Sequence, residues 1–204
     1  MNALSLLVAV FSAIPALAAG VHFPSAASSQ SPDGKWKLIC QKPRNREEMP
    51  VLVLENIRGK RFELRRFDHD CVALWSTDSA RIAITDWLTS DRADVFIHAV
   101  AHPRTSRSVS RLFPRTAIPE EERNGHCYFE AVEWLDSHRL RIRVSGHRDV
   151  APATNFAYEF IFDVKSSRFE KTKDRRAEPT GPANGSRPIR SETNRTSPAA
   201  GSRR

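Results

Sequence analysis

Two short stretches of the chain collect side chains that metals and hydrolases use: Asp68-His69-Asp70-Cys71 and His126-Cys127. Brought together, His69, Cys71, His126 and Cys127 would offer nitrogen and sulfur ligands to a zinc ion, and so make a small metal-dependent enzyme or hydrolase. No Cys-x-x-Cys or His-Glu-x-x-His spacing accompanies them, and an exposed turn followed by buried thiols explains them more simply. His98 and His102 stand four apart, but on a strand such residues are about 13 Å apart, too far for one ion. Asp33, Asp78 and Asp136 recur among turn formers, where a carboxylate ordinarily bonds its own backbone. Asp86 and Asp163 have no base or nucleophile for a partner, and Gly-x-Ser-x-Gly, Ser-x-x-Lys and phosphate-loop patterns are absent. These residues indicate no cofactor and no metal, and they point away from an enzyme. The binding candidates are Trp87 and its neighbour Asp86, because an aromatic at the end of a strand, before a polar loop, is the kind of side chain that anchors partners.

The elements that must position these residues are read from alternation. Val72 to Trp87 is a β-hairpin: an apolar run to Trp75, the turn formers Ser76-Thr77-Asp78-Ser79, then an alternating return from Arg81. Earlier, Ser31-Pro32-Asp33-Gly34 forms a tight turn, Trp36–Cys40 a strand, and Val51–Leu54 a continuous apolar run of the type covered on both faces. Later, Cys127–Trp134 and Arg139–Val144 flank Asp136-Ser137, with Arg139, Arg141 and Arg143 on a solvated face, and Phe156–Val164 is an aromatic strand. Between them, residues 103–125 break the rhythm and read as an insertion with short helical turns near Ser110 and at Pro119-Glu-Glu-Glu. The expectation is an all-β domain over 31–170, built of three antiparallel units with a short helical insertion.

Ser31-Pro32-Asp33-Gly34-Lys35-Trp36 and Trp75-Ser76-Thr77-Asp78-Ser79-Ala80-Arg81 resemble the TolB-like repeat of periplasmic β-propellers, a Ser-Pro-Asp-Gly/Ser turn followed by a basic residue and an apolar strand. Trp134-Leu135-Asp136-Ser137 is a third, shortened copy. The resemblance implies blade-like sheet units and a role in binding partners. Three blades are fewer than the four that ordinarily close a ring, so the units form an open fragment, a compact sandwich, or a ring completed by a homodimer.

Residues 1–19 hold no ionisable side chain, are mostly apolar, and end in Ala16-Leu17-Ala18-Ala19. They read as a secretory signal, which places the protein in the periplasm or outside the cell. Residues 20–30 are rich in Ser and Ala and read as a linker. An oxidising compartment permits one disulfide among Cys40, Cys71 and Cys127. Cys40–Cys71 is the leading pair, closing a loop of about 30 residues worth roughly 3–4 kcal/mol; each cysteine could equally be a small buried apolar group.

The net charge of +8 is concentrated in residues 171–204, where nine basic residues face three acidic ones. The rest is nearly balanced, so nucleic acid is not the expected partner. The tail is almost without large apolar residues and reads as disordered, with a weak electrostatic attraction to anionic membrane surfaces. The function these features favour is a non-catalytic interaction module of the cell envelope, engaging an envelope protein. The alternative is the small hydrolase or metal enzyme that would use the His/Cys cluster.

Overall fold

Alternation along the strands sorts the apolar side chains into two sets, and the fold follows from burying both. The computed structural model describes residues 20–43, 45, 48–147 and 155–172. The expected signal at 1–19 and the tail from 173 onward lie outside the described residues. A short strand, β1 (Val21–Phe23), comes first. Three antiparallel ladders follow in chain order. The first joins β2 (Ser28–Gln30), β3 (Trp36–Gln41), β4 (Val51–Asn56) and β5 (Arg61–Arg66). The second joins β6 (Cys71–Trp75), β7 (Arg81–Thr89), β8 (Arg92–Ala99) and β9 (His102–Ser108). Two helical turns, α1 (Val109–Leu112) and α2 (Glu120–Arg123), precede the third ladder: β10 (His126–Trp134), β11 (Arg139–His147), β12 (Asn155–Asp163) and β13 (Arg168–Lys171).

β1 adds to the outer edge of β6, and a two-residue parallel bridge between β8 and β10 makes one sheet of the second and third ladders. Among the described residues the result is an all-β fold of two sheets, without a closed barrel.

The central hairpin lies between two cores. Cys71, Ala73, Trp75, Ile82 and Ile84 face the first ladder and pack with Leu38, Leu52, Leu54 and Phe67. Leu74 and Ala83, one residue out of phase, face the third ladder with Val95 and Ile97 and meet Phe129, Trp134, Leu140, Ile142 and Phe160. Because both faces of β6 and β7 are covered, the hairpin reads as a nearly continuous apolar run.

Two tryptophans stitch the layers. Trp75 donates from Nε1 to Ser29 Oγ in the first ladder, and Trp134 donates from Nε1 to the Leu74 carbonyl in the second, each at 3.2 Å. Trp75 and Trp134 thus pack between neighbouring units.

The first two turns share one hydrogen-bonding pattern. Ser31 Oγ donates to Asp33 Oδ1 (2.7 Å) and accepts from Trp36 N (3.0 Å), while Asp33 Oδ1 accepts from Lys35 N. Ser76 Oγ donates to Asp78 Oδ1 (2.6 Å) and accepts from Arg81 N (2.9 Å), while Asp78 Oδ1 accepts from Ala80 N. The next residue adopts positive φ in both, +71° at Gly34 and +60° at Ser79. The third turn has no such serine, and Asp136 Oδ1 takes both the His138 and Arg139 amides at 2.8 Å. Neighbouring turns are linked, Asp33 N donating to Ser79 Oγ and Arg81 Nη1 to the Ser137 carbonyl.

Four expectations need correction. Residues 20–30 are more than a linker, since they supply β1 to one sheet and β2 to the other. Residues 103–125 are only partly an insertion: His102–Ser108 is the fourth strand of the second ladder, and the helical part begins at Val109. The folded part extends past Glu170, because Lys171 pairs with Phe160 in β13 and Thr172 bonds the Glu159 carbonyl through both N (3.2 Å) and Oγ1 (2.9 Å). Finally, Cys40, Cys71 and Cys127 are all free thiols. The expected Cys40–Cys71 pair is not joined, although both side chains belong to the core between the first two ladders.

Candidate functional site

Toward the ends away from their shared turn, β10 crosses over the two strands of the central hairpin. Val72, Thr85 and Trp87 share the face that looks toward β10, as their alternation requires. With Glu130, Ala131 and Val132 of β10, and with Gly20, His22 and Asp70, they line a cleft of about 370 Å³. The crossing is fixed by Ala131 N, which donates to Thr85 Oγ1 at 3.0 Å, and the Trp87 backbone is tied to the Asp70 carbonyl at 3.3 Å.

Glu130 is the unusual member. It is half-buried, burial pushes its carboxyl above the ordinary value of 4.5, and the Arg143 charge only partly opposes this. No hydrogen bond reaches its carboxylate among the described residues. Asp70, exposed, adds a second carboxylate to the same cleft. Trp87 is half-buried and lies 5.7 Å from the Tyr128 ring at a tilt of 45°. Tyr128 OH donates to the Ser90 carbonyl (2.9 Å), and the His126 and His147 rings stack at 4.1 Å beyond it. A cleft with two carboxylates and an indole suits a cationic group, because Trp is the strongest cation–π ring and the carboxylates supply the counter-charge.

Trp87 lines this cleft. Asp86 does not. One residue out of phase, it points to the opposite face, is 1% exposed, and forms an ion pair with Arg65 of β5. Burial pushes its carboxyl up and Arg65 pulls it back, while Oδ1 has no partner. Arg65 also stacks over Phe96 of β8, 3.4 Å from the ring centroid. Asp86 is a buried latch between ladders; sequence alone could have placed it opposite Trp87 through strand parity.

The residues of the alternative are not brought together. Cys71 packs in the core between the first two ladders, and Cys127 packs against the other core. His69 is exposed beside Asp68, and His126 stacks on His147. Among the described residues, no three His, Cys, Asp or Glu side chains stand where they could hold one metal ion. Burial pushes the Cys71 thiol far up and the Cys127 thiol up to about 11, which is unsuited to a nucleophile at neutral pH. His98 is buried with Nδ1 against the Pro103 carbonyl (3.0 Å), and burial lowers its pKa. The turn carboxylates serve the turns: Ser31 and the Lys35 amide hold Asp33 low, and the Ser166 amide and hydroxyl do the same for Asp163.

Sequence reasoning missed Glu130, and it singled out Asp70 only as a metal-type ligand beside His69 and Cys71. Glu130 sits in an alternating strand where charged residues ordinarily face solvent, and only the crossing of β10 over β7 reveals its setting.

No family profile matches the chain, and no curated protein matches it. Among solved structures, TolB from Acinetobacter baumannii is similar over 71% of this chain, with 13% sequence identity and a TM-score of 0.39. The chain spans 31% of the length of that structure.

Proposed function

We propose that this protein is a non-catalytic binding module of the cell envelope, and that its cleft beside Trp87 takes a cationic side chain of a partner protein. The observation that carries the reading is Glu130, a carboxylate kept in a setting that disfavours its charge. A group held against its own stability, in a cleft with an aromatic and a second acid, marks a site built for a ligand of opposite sign. The envelope assignment rests on the apolar, uncharged segment 1–19, read as a secretory signal. Binding is the role this cleft suits, since Trp87, Glu130 and Asp70 offer an aromatic face and negative charge to a cation.

The test is titration with short peptides carrying Lys or Arg, against matched peptides with norleucine, read by Trp87 fluorescence. The signal of the other three tryptophans is defined with Trp87→Phe. The expected result is preference for the cationic peptides, with Glu130→Gln weakening binding by about tenfold or more in fluorescence and Trp87→Ala doing the same in titration calorimetry, as for an anchor residue. Equal affinity for the norleucine peptides, or no effect of Glu130→Gln, would sink the reading.

A further inference from the structure

We propose that a second cleft, between β9, α1 and the turn from β12 to β13, binds a phosphate group carried by an amphiphile, the headgroup of an anionic lipid. This cleft has a volume of about 560 Å³ and is lined by Arg107, Arg111 and Lys165, by three serines, and by Phe96 and Leu112, with no carboxylate among the lining residues.

Arg107 is held at its base by the neighbouring ladder. Its Nη1 donates to the Val164 carbonyl (2.8 Å) and to Ser167 Oγ (3.4 Å). Its Nε and Nη2 donate to nothing among the described residues. That leaves one edge of the guanidinium free, the edge whose paired N–H groups match two oxygens of a phosphate. Arg111 and Lys165 are exposed, and neither forms an ion pair among the described residues.

Several surface arginines, by contrast, have an acidic partner. Arg61 pairs with Glu55, Arg66 with Glu63, Arg139 with Asp136, and Arg141 with Glu133. Two acids near the cleft are taken up by hydroxyl and amide donors, Asp94 by Ser108 of the lining itself. Asp94 accepts from Ser108 Oγ (2.6 Å), Ser110 N (3.0 Å) and Ser110 Oγ (2.8 Å), and Asp163 accepts from Ser166 N (2.7 Å). Three cations are thus gathered without counter-charge, an arrangement that repels itself until an anion enters.

The apolar lining argues for the carrier. Leu112, 39% exposed, is one of three large apolar side chains exposed among the described residues. With Phe96 it places apolar surface beside the cations. A free ion makes no use of such surface, whereas the glycerol and first methylenes of a lipid would cover it.

The experiment follows backbone amide shifts of the full chain on titration with dihexanoyl phosphatidic acid, kept below its micelle concentration, and separately with inorganic phosphate. Amides of 106–112 and 165–167 are expected to shift saturably with the lipid. The Arg111→Gln/Lys165→Gln double variant should bind at least about tenfold more weakly, with a wild-type spectrum elsewhere. Lys165→Glu is the second variant, and should abolish the shifts should the double variant fold poorly. Equal affinity for inorganic phosphate would reassign the site to free phosphate and overturn the lipid carrier. Shifts that do not saturate, or that survive in the variants, would overturn the site itself.

Discussion

Glu130 and Asp86 are two carboxylates raised by burial that meet opposite fates. Asp86 is compensated: Arg65 donates to it across the ladder interface, and breaking such a buried pair by removing one partner ordinarily costs about 3–5 kcal/mol. Glu130 has only the charge of Arg143, its cross-strand neighbour on β11, with no hydrogen bond between them among the described residues. Its pKa is raised in the folded state, so between its ordinary value of 4.5 and the raised value the folded protein holds a proton that the unfolded chain has lost. Stability in that window falls as pH rises, and above it the loss is complete and constant. Glu130→Gln should therefore be more stable than the wild type at pH 7, and the difference should shrink to nothing as pH falls below 4.5. Urea unfolding at a series of pH values measures this, and an unchanged pH slope in the variant would show that Glu130 is solvated after all. Paired with weaker binding of cationic peptides, a gain in stability is the signature of a functional group rather than a structural one.

The repeated turn makes a similar comparison possible between elements. Gly34 and Ser79 occupy the same place in two copies of one hydrogen-bonded turn, both with positive φ. Glycine meets that conformation without strain, whereas a residue with Cβ pays about 1 kcal/mol for it. Ser79 offsets this by accepting a hydrogen bond from Asp33 N at 3.0 Å, which links the two turns. Gly34→Ala should thus lose about 1 kcal/mol. Ser79→Gly should be nearly neutral, since relief of strain balances a lost hydrogen bond of about 1 kcal/mol. Ser79→Ala should be the worst at that position, keeping the strain and losing the bond. Midpoints of urea unfolding give the ranking, and a Ser79→Ala as stable as Ser79→Gly would contradict it.

These turns, and the tryptophans before them, were legible because each copy carries its whole hydrogen-bonding pattern within six residues. So was the central hairpin, whose two buried faces appear as one apolar run. β9 was not, because in His102-Pro103-Arg104-Thr105-Ser106-Arg107-Ser108 only Pro103 and part of Ser108 are covered, so no alternation reaches the sequence. It is a strand through its hydrogen bonds to β8. β1 and β2 are three residues each and are held by pairing at sheet edges, which no local pattern records. Both clefts share this character: each forms where strands distant in sequence cross or abut, so Trp87 could be singled out while Glu130 and Arg107 could not.

The three ladders leave two outer faces, and the third ladder's is charged. Arg141 pairs with Glu133 at 2.6 Å and Arg143 lies 3.8 Å from Glu159, so the arginines expected to be solvated are instead half-covered by carboxylates. The last edge is β13, and what finishes it is Lys171 and Thr172. Lys171 lies over the Tyr158 ring, 4.7 Å from its centroid, and Thr172 bonds the Glu159 carbonyl twice. Residues 173–204 hold eight basic residues against three acidic ones, and Ile189 is their sole large apolar side chain. By composition such a segment has little apolar surface to contribute to a core, and we propose that its charge attracts anionic surfaces in a salt-screened way. Two truncations separate these roles. Ending the chain after Thr172 should leave the melting temperature unchanged and reduce binding to phosphatidylglycerol vesicles at low salt, with the difference fading as salt is raised. Ending it after Glu170 removes the edge contacts as well, and about 1 kcal/mol of lost stability should lower the melting temperature by roughly 2–4 °C. The phosphate-binding cleft involves no residue beyond Ser167, so saturable shifts with soluble phosphatidic acid should persist in the protein ending at Thr172. If they vanish with the tail, the cleft and the tail act as one site and the division of labour drawn between them is wrong.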